Sequence, residues 1–461
     1  MGKGVMIAGT HSGSGKTTVG LGLLGALSKK YTVTPFKVGP DYIDTAYHKF
    51  VCGRVSYNLD VFMLGEERLK ALYGLKSDGD IALVEGVMGL FDGLDTQGFG
   101  SSAHVAKILN LPVILVIDAS GMARSASAMV GGFRDFDREV NIAGVILNKV
   151  GGQKHYELLK QSIERDTGVP VFGFIPGDPE LCLPERHLGL VPVYEMEGLK
   201  KKFHRLYSYI ERYIDLDGIL RTAEKAGSLD IKGQVPAFAD FCVNNEAVKI
   251  AVAMDEAFNF YYQSGLEVFR DMGAKLVPFS PLHDIALPDG ISGLYLGGGF
   301  PEMFAGQLSR NLPMLESIKN SIESGLPTYA ECGGFIYLSR CIRDQEGKSY
   351  PMAGVYDIEA VMTRRLQHFG YVEAEVTSEN VLAEKGFKLR GHEFHHSEMV
   401  GFFENTCYLV GKPGKPEKWR CGYRFKNCLA TYVHIDFFAY PNLAENFLRK
   451  CLEFLKRSEF K

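Results

Sequence analysis

Short apolar runs and longer stretches of helical periodicity alternate along the chain. Residues 5–8 (VMIA), 32–38 (TVTPFKV), 81–84 (IALV), 113–117 (VILVI), 142–147 and 171–175 are brief, mainly apolar and bounded by turn residues. That pattern predicts buried strands. Helical spacing lies between them, as with Val19, Leu23 and Leu27 or around residues 102–109. Strand and helix in alternation predict a mostly parallel, doubly wound α/β sheet. Residues 201–224 predict a helix, whereas 227–246 show no period and contain Gly, Pro and Asn. The strand pattern restarts at 249–254 and returns at 275–279, 294–296, 327–330 and 430–433. We therefore expect two domains, residues 1–225 and 247–461, joined by a linker over 226–246.

Composition narrows the class. A chain of 461 residues with 46% apolar and 23% charged residues is an ordinary globular protein of two or three cores. A net charge of −4 argues against nucleic acid or an anionic membrane as main partner. Nine scattered cysteines without a CxxC pair suit reduced thiols, and hence a cytoplasmic protein. No apolar run approaches the ~20 residues of a membrane span.

Two stretches carry chemistry. In VMIAGTHSGSGKTT, a strand, a glycine-rich turn and a helix follow one another over residues 5–18. Gly13 and Gly15 let backbone N–H groups converge on phosphate oxygens, Lys16 adds a point charge, and Thr17 and Thr18 open the helix. Thr17 is placed for magnesium, so the first half is expected to bind a nucleoside triphosphate. Acids follow the next strands: Asp41 and Asp44 in GPDYID, then Glu85 and Asp92 in EGVMGLFDG. Carboxylates at strand ends of an open α/β sheet face the ligand crevice. Three acids around one triphosphate should repel one another unless a cation or substrate intervenes. The second stretch is AECGG, where Cys332 sits at a strand-to-helix turn followed by glycines. Such a turn exposes the sulfur, and the helix start is expected to lower its pKa. The N–H after Cys332, with one from Gly298 or Gly299, could form an oxyanion hole. His434 is the expected base and Asp436 a carboxylate able to orient its ring. His392, His395 and His396 in GHEFHHSE raise a metal alternative, although a polar strand lining a charged pocket fits them better.

Together these blocks resemble a known family. KVGPDYID (37–44), EGVMGLFDG (85–93), RHLGLVP (186–192), AECGG (330–334) and GHEFH (391–395) resemble the cobyrinate a,c-diamide synthases in sequence and in order. The resemblance implies an N-terminal domain like dethiobiotin synthetase and a C-terminal class I glutamine amidotransferase-like domain. It implies that ATP phosphorylates the a and c acetates of a tetrapyrrole and that glutamine-derived ammonia displaces phosphate. On it, Lys16, Thr17 and Glu85 would serve ATP and Mg2+, with Asp41 as a further metal ligand. Asp41, Asp44 and Asp92 would position metal, phosphate or carboxylate. Cys332 would be the glutaminase nucleophile, with His434 as its partner. This chain departs from the family at Thr45, where Pro is frequent, and at Asp436, where a second His is common. Cobyrinate is the expected substrate and nickel-sirohydrochlorin the alternative. A partitioning or regulatory P-loop ATPase with a degenerate amidotransferase domain is the rival class. Against it stand Cys332, His434, and His11 in place of an early second lysine. Partners are then glutamine and a carboxylated tetrapyrrole; assembly as a homodimer stays open.

Overall fold

The computed structural model describes residues 3–181, 185–186, 189–190, 198–227, 229, 241–243 and 248–459. The chain divides into two compact units, Met1–Val235 and Pro236–Lys461. Most of the expected linker, and His187, Leu188, Val191 and Pro192 of the RHLGLVP block, lie outside the described residues.

The first unit is built on a seven-stranded sheet. Its strands are β1 (Lys3–Gly9), β2 (Val33–Val38), β3 (Tyr57–Leu59), β4 (Ile81–Gly89), β5 (Val113–Asp118), β6 (Ile142–Val150) and β7 (Val171–Pro176). They run parallel in the order β3-β2-β4-β1-β5-β6-β7. Six match the apolar runs. The three-residue edge strand β3 carries too short a run to be seen. β4 continues past its apolar run to Gly89, so Glu85 lies inside a strand and is fully buried, rather than in the loop after it. Helix α1 (Lys16–Leu27) lays one of its faces on the sheet, and the helix Leu199–Tyr213 covers its other face. Burial on both sides explains why KTTVGLGLLGAL is apolar nearly all round. The long helix expected over 201–224 breaks at Ile214, where Asp215 caps a second helix, Leu216–Ala223, through Gly218 N (2.8 Å).

In the second unit, Lys275–Phe279, Lys249–Ala253, Gly293–Leu296, Thr328–Glu331 and Cys428–Thr431 lie side by side in parallel. The sheet then continues antiparallel through Lys418–Phe425, Thr406–Gly411 and Glu359–Val376, with Lys388–Val400 paired to the last. This antiparallel half mixes charged and apolar residues without clean alternation, because bulges interrupt it between Met362 and Gly370. Among the described residues no helix is long and apolar enough to cross a membrane.

Candidate active sites

The nucleotide-type site forms where β1 hands over to α1. Gly15 stands at the helix N-cap with φ 92°, and a Cβ there would lie 1.8 Å from Asn148 Nδ2. Only glycine supplies both the left-handed backbone and the close approach. Asn148, at the end of β6, donates to Ser14 O (3.1 Å) and so braces the turn from across the sheet. Gly13 is also left-handed, at φ 87°. Thr17 Oγ1 donates to Glu85 Oε1 at 2.7 Å, which ties the helix start to β4.

The expected repulsion between acids is relieved by Lys37, a residue that reads in sequence as the tail of an apolar strand. Buried at the end of β2, it places Nζ 2.5 Å from Asp44 Oδ2 and 2.9 Å from Glu85 Oε1. It also donates to Gly86 O at 3.1 Å. The protein itself therefore supplies the intervening cation. Strand register is the signal that points to it, since Lys37 pairs with Glu85 on adjacent parallel strands. Glu85 Oε2 is engaged by His48 Nε2 (2.8 Å), whose Nδ1 meets Ser56 Oγ (2.9 Å). Burial alone would raise Glu85, but Lys37 and His48 hold its carboxyl well below the usual range. Burial pulls Lys37 down, and Asp44 and Glu85 outweigh it and raise the ammonium. Burial, then Asp41, pushes Asp44 up to about 6. Burial, then Lys37, lowers Lys16.

Asp41 caps α2 (Tyr42–Cys52), its Oδ1 accepting from Ile43 N (2.8 Å) and Asp44 N (2.9 Å). Asp92 is exposed and accepts from Gly89 N (3.0 Å) within its own turn, which Leu90 N anchors to Gly9 O (2.8 Å). The structure thus joins Thr17, Glu85, Lys37 and Asp44 in one bonded cluster, while the carboxylates of Asp41 and Asp92 bond to local backbone. The side chains at the helix start offer oxygen donors, Thr17 Oγ1 and the Glu85 and Asp44 carboxylates, the chemistry a hard cation such as magnesium takes. Among the described residues, however, no three acids are placed around one ion, and Lys37 already bridges Glu85 and Asp44.

The second site lies at the ends of two neighbouring strands. Ala330 and Glu331 pair with Ala430 and Thr431, and Cys332 N donates to Thr431 O at 2.7 Å. Cys332 adopts φ 45°, ψ −98°, a backbone that L-residues rarely hold, at the turn into the helix Gly333–Leu338. The turn has the strain expected of a nucleophile elbow, but its side chain is buried rather than exposed as the sequence suggests. A Cβ on Gly298 would stand 2.6 Å from His434 Cε1, and one on Gly333 would stand 3.0 Å from Gly299 N. The Gly298–Gly299 segment therefore lies between the imidazole and the thiol turn, with backbone N–H groups beside it.

The geometry corrects two expectations. The Asp436 carboxylate is engaged away from the expected role: its Oδ2 accepts from Ser264 Oγ (2.7 Å) and its Oδ1 from Phe438 N (2.9 Å). The carboxylate beside the ring is Glu331, with Oε2 3.6 Å from His434 Nδ1. Tyr329 Oη (2.7 Å), Tyr295 Oη (3.1 Å) and Ile435 N (3.2 Å) hold that carboxylate in place. Nor is the thiol acidified: burial, then Glu302, Glu331 and Glu393, push Cys332 above its ordinary range. Burial and these carboxylates thus act against the acidification that the helix start alone suggests, so a base near the thiol matters the more. Glu331→Gln should therefore lower glutamine-dependent turnover about 10- to 100-fold, less than the ~10⁴-fold of a directly bonded triad carboxylate. Asp436→Asn should instead cost about 1–3 kcal/mol of stability with turnover little changed. Paired kinetics and thermal melts separate them, and the reverse pattern would return the orienting role to Asp436.

The histidine-rich strand holds no metal cage: among the described residues no group of three or more His, Cys, Asp or Glu is placed to bind an ion. His395 stacks on Tyr432 at 3.6 Å and meets Ser397 O (2.8 Å) and Glu393 Oε2 (3.4 Å).

Comparisons with known proteins agree with this division. The family model of the CobQ/CobB/MinD/ParA nucleotide binding domain matches residues 5–191, and that of the CobB/CobQ-like glutamine amidotransferase domain matches residues 249–441. A cobyrinate a,c-diamide synthase of Caldanaerobacter subterraneus subsp. tengcongensis is 57% identical over 97% of this chain and 98% of its own. One from Listeria innocua is 45% identical over 95% and 97%.

Proposed function

The chain belongs to the cobyrinate a,c-diamide synthase family, and from that premise we propose how its two sites divide one reaction. It is a glutamine-dependent carbon–nitrogen ligase that uses ATP to amidate the a and c acetates of cobyrinate. The names of its relatives favour cobyrinate over nickel-sirohydrochlorin. The observation that carries the division of labour is that a glycine-rich turn with a Lys37-bridged acid cluster stands in one unit, while the other holds a strained cysteine turn and an imidazole on either side of the Gly298–Gly299 segment.

In the first unit, an acetate oxygen of the substrate attacks the γ-phosphorus, giving an acyl phosphate and ADP. Lys16 and the backbone of the Gly13–Gly15 turn hold the phosphates, and Lys37 offsets the charge that accumulates as a carboxylate approaches. Magnesium, held by Thr17 with Glu85 and Asp41, would neutralise phosphate oxygens there. Lys37 and His48 keep Glu85 ionised and aimed at Thr17. In the second unit, His434 takes the Cys332 proton as sulfur attacks the carboxamide carbon of glutamine. The leaving nitrogen departs with a proton as ammonia, and water hydrolyses the thioester to glutamate. Ammonia then attacks the acyl carbon, phosphate leaves, and the amide remains. All eight described cysteines are thiols rather than disulfides, which supports a reducing, cytoplasmic setting.

Heavy oxygen placed in the substrate acetates tests the activation step. Label should pass to inorganic phosphate, with one ADP formed per amide. AMP and pyrophosphate, or unlabelled phosphate in a single turnover, would replace this reading with adenylation.

A further inference from the structure

The GHEFHH strand supplies no group to the amidation chemistry itself, yet one of its residues lies against the glutaminase base. Lys388–Val400 meets the chain at His434 through two backbone hydrogen bonds, His392 N to His434 O (3.2 Å) and His434 N to His392 O (2.9 Å). The approach is close enough that a Cβ on residue 391 would stand 2.2 Å from His434 O, so Gly391 is required for it. With the backbones so clamped, the two imidazoles lie nearly parallel, centroids 4.9 Å apart and planes 11° from one another. At its ring edge His392 is tethered by Nε2 to the Tyr262 hydroxyl at 2.6 Å. Both imidazoles are buried.

We propose that His392 is a positioning residue for the glutaminase half-reaction, its ring held by Tyr262 and stacked on His434 so that His434 stays in the plane from which it takes the Cys332 proton. The inference rests on the reading of Cys332 and His434 as the glutaminase pair. His434 is then confined from two directions, by Glu331 at Nδ1 and by the His392 ring face. Charge supports the same role. Burial, then His434, holds His392 well below the ordinary imidazole range. It therefore offers a neutral ring face to the imidazolium that forms during attack, and no second cation opposes that charge. The Tyr262 hydroxyl and, more weakly, Lys412 also act on the His392 ring.

Three variants test this: His392→Ala, His392→Phe and Tyr262→Phe, each in the full chain and each checked by thermal melting. His392→Ala should lower kcat with glutamine about 10- to 100-fold, within the ~10²–10⁴-fold attached to the proton transfer it supports. KM for glutamine should stay within about twofold, and synthesis from free ammonia should be unchanged. His392→Phe keeps a flat ring over His434 and should recover most of the lost rate. Tyr262→Phe removes the one oxygen that tethers the edge of the His392 ring and should cost a few-fold in kcat. An unaltered kcat in His392→Ala overturns the proposal. So does a His392→Phe enzyme as slow as the alanine variant, or a rise in KM at constant kcat. Should the alanine variant fail to fold, Tyr262→Phe decides alone, and an unaltered kcat there is equally fatal. A wild-type protein unable to use glutamine at all would instead sink the underlying assignment of the pair.

Discussion

Cys332→Ser will abolish amidation from glutamine while leaving synthesis from free ammonia at the wild-type rate. The substitution changes one atom in a buried side chain and keeps the volume and backbone of a turn already held at φ 45°. The fold should therefore survive. Chemistry will not, because a hydroxyl is a far weaker nucleophile than sulfur and His434 is arranged to serve a thiol. Removal of a nucleophile costs up to ~10⁶ in turnover, so a loss of at least about 10³-fold is expected with glutamine. Ammonia enters after this step, and carboxylate activation belongs to the other unit. Comparing initial rates with the two nitrogen donors checks it. Equal loss with both would show that the sites do not divide the reaction as proposed.

Lys16→Ala should remove synthesis with either donor. Lys16 opens α1 directly after the glycine-rich turn, and on the proposed reading its ammonium meets the transferring phosphate, a contact that acts mainly in the transition state. Loss of one such donor costs about 10²–10³-fold, roughly 3–4 kcal/mol at 1.36 kcal/mol per decade. Stability should move the other way. Burial and the neighbouring Lys37 already disfavour this charge, so the nucleotide-free variant should melt at or above the wild-type temperature. Ammonia-dependent rates and melting curves, taken together, distinguish a lost catalytic contact from a damaged fold. Retention of most ammonia-dependent activity would make the loop structural only.

Much of this molecule is legible from local pattern. Parallel strands buried on both faces read as short continuous apolar runs, and the glycine-rich turn announces itself because its backbone tolerates little else. Cys332 can be found for the same reason: a thiol set between an apolar strand and two glycines marks a turn too tight for bulkier neighbours. Sequence by itself thus determined the two α/β units and the two turns, the glycine-rich one and the one at Cys332, that the sheets hold.

Contacts between residues far apart in the chain were decided only by the tertiary structure. Asp436 lies two residues from His434, and that nearness suggests a partnership. In a continued strand residues two apart would share a face, but the strand Cys428–Thr431 has ended and the chain turns at 437–439, so Asp436 turns to Ser264 and Phe438 while Glu331 comes up beside the ring from the adjacent strand. Lys37 looks like the tail of an apolar run until the register of β2 on β4 sets it between Asp44 and Glu85. Its cation removes the repulsion that the acids alone imply. The thiol pKa turns on burial and on three carboxylates, none of them supplied by the turn's own helix. Local sequence sets backbone preference and hydrophobic period, whereas electrostatics at a site depends on which strands become neighbours, and only the packed sheet settles that.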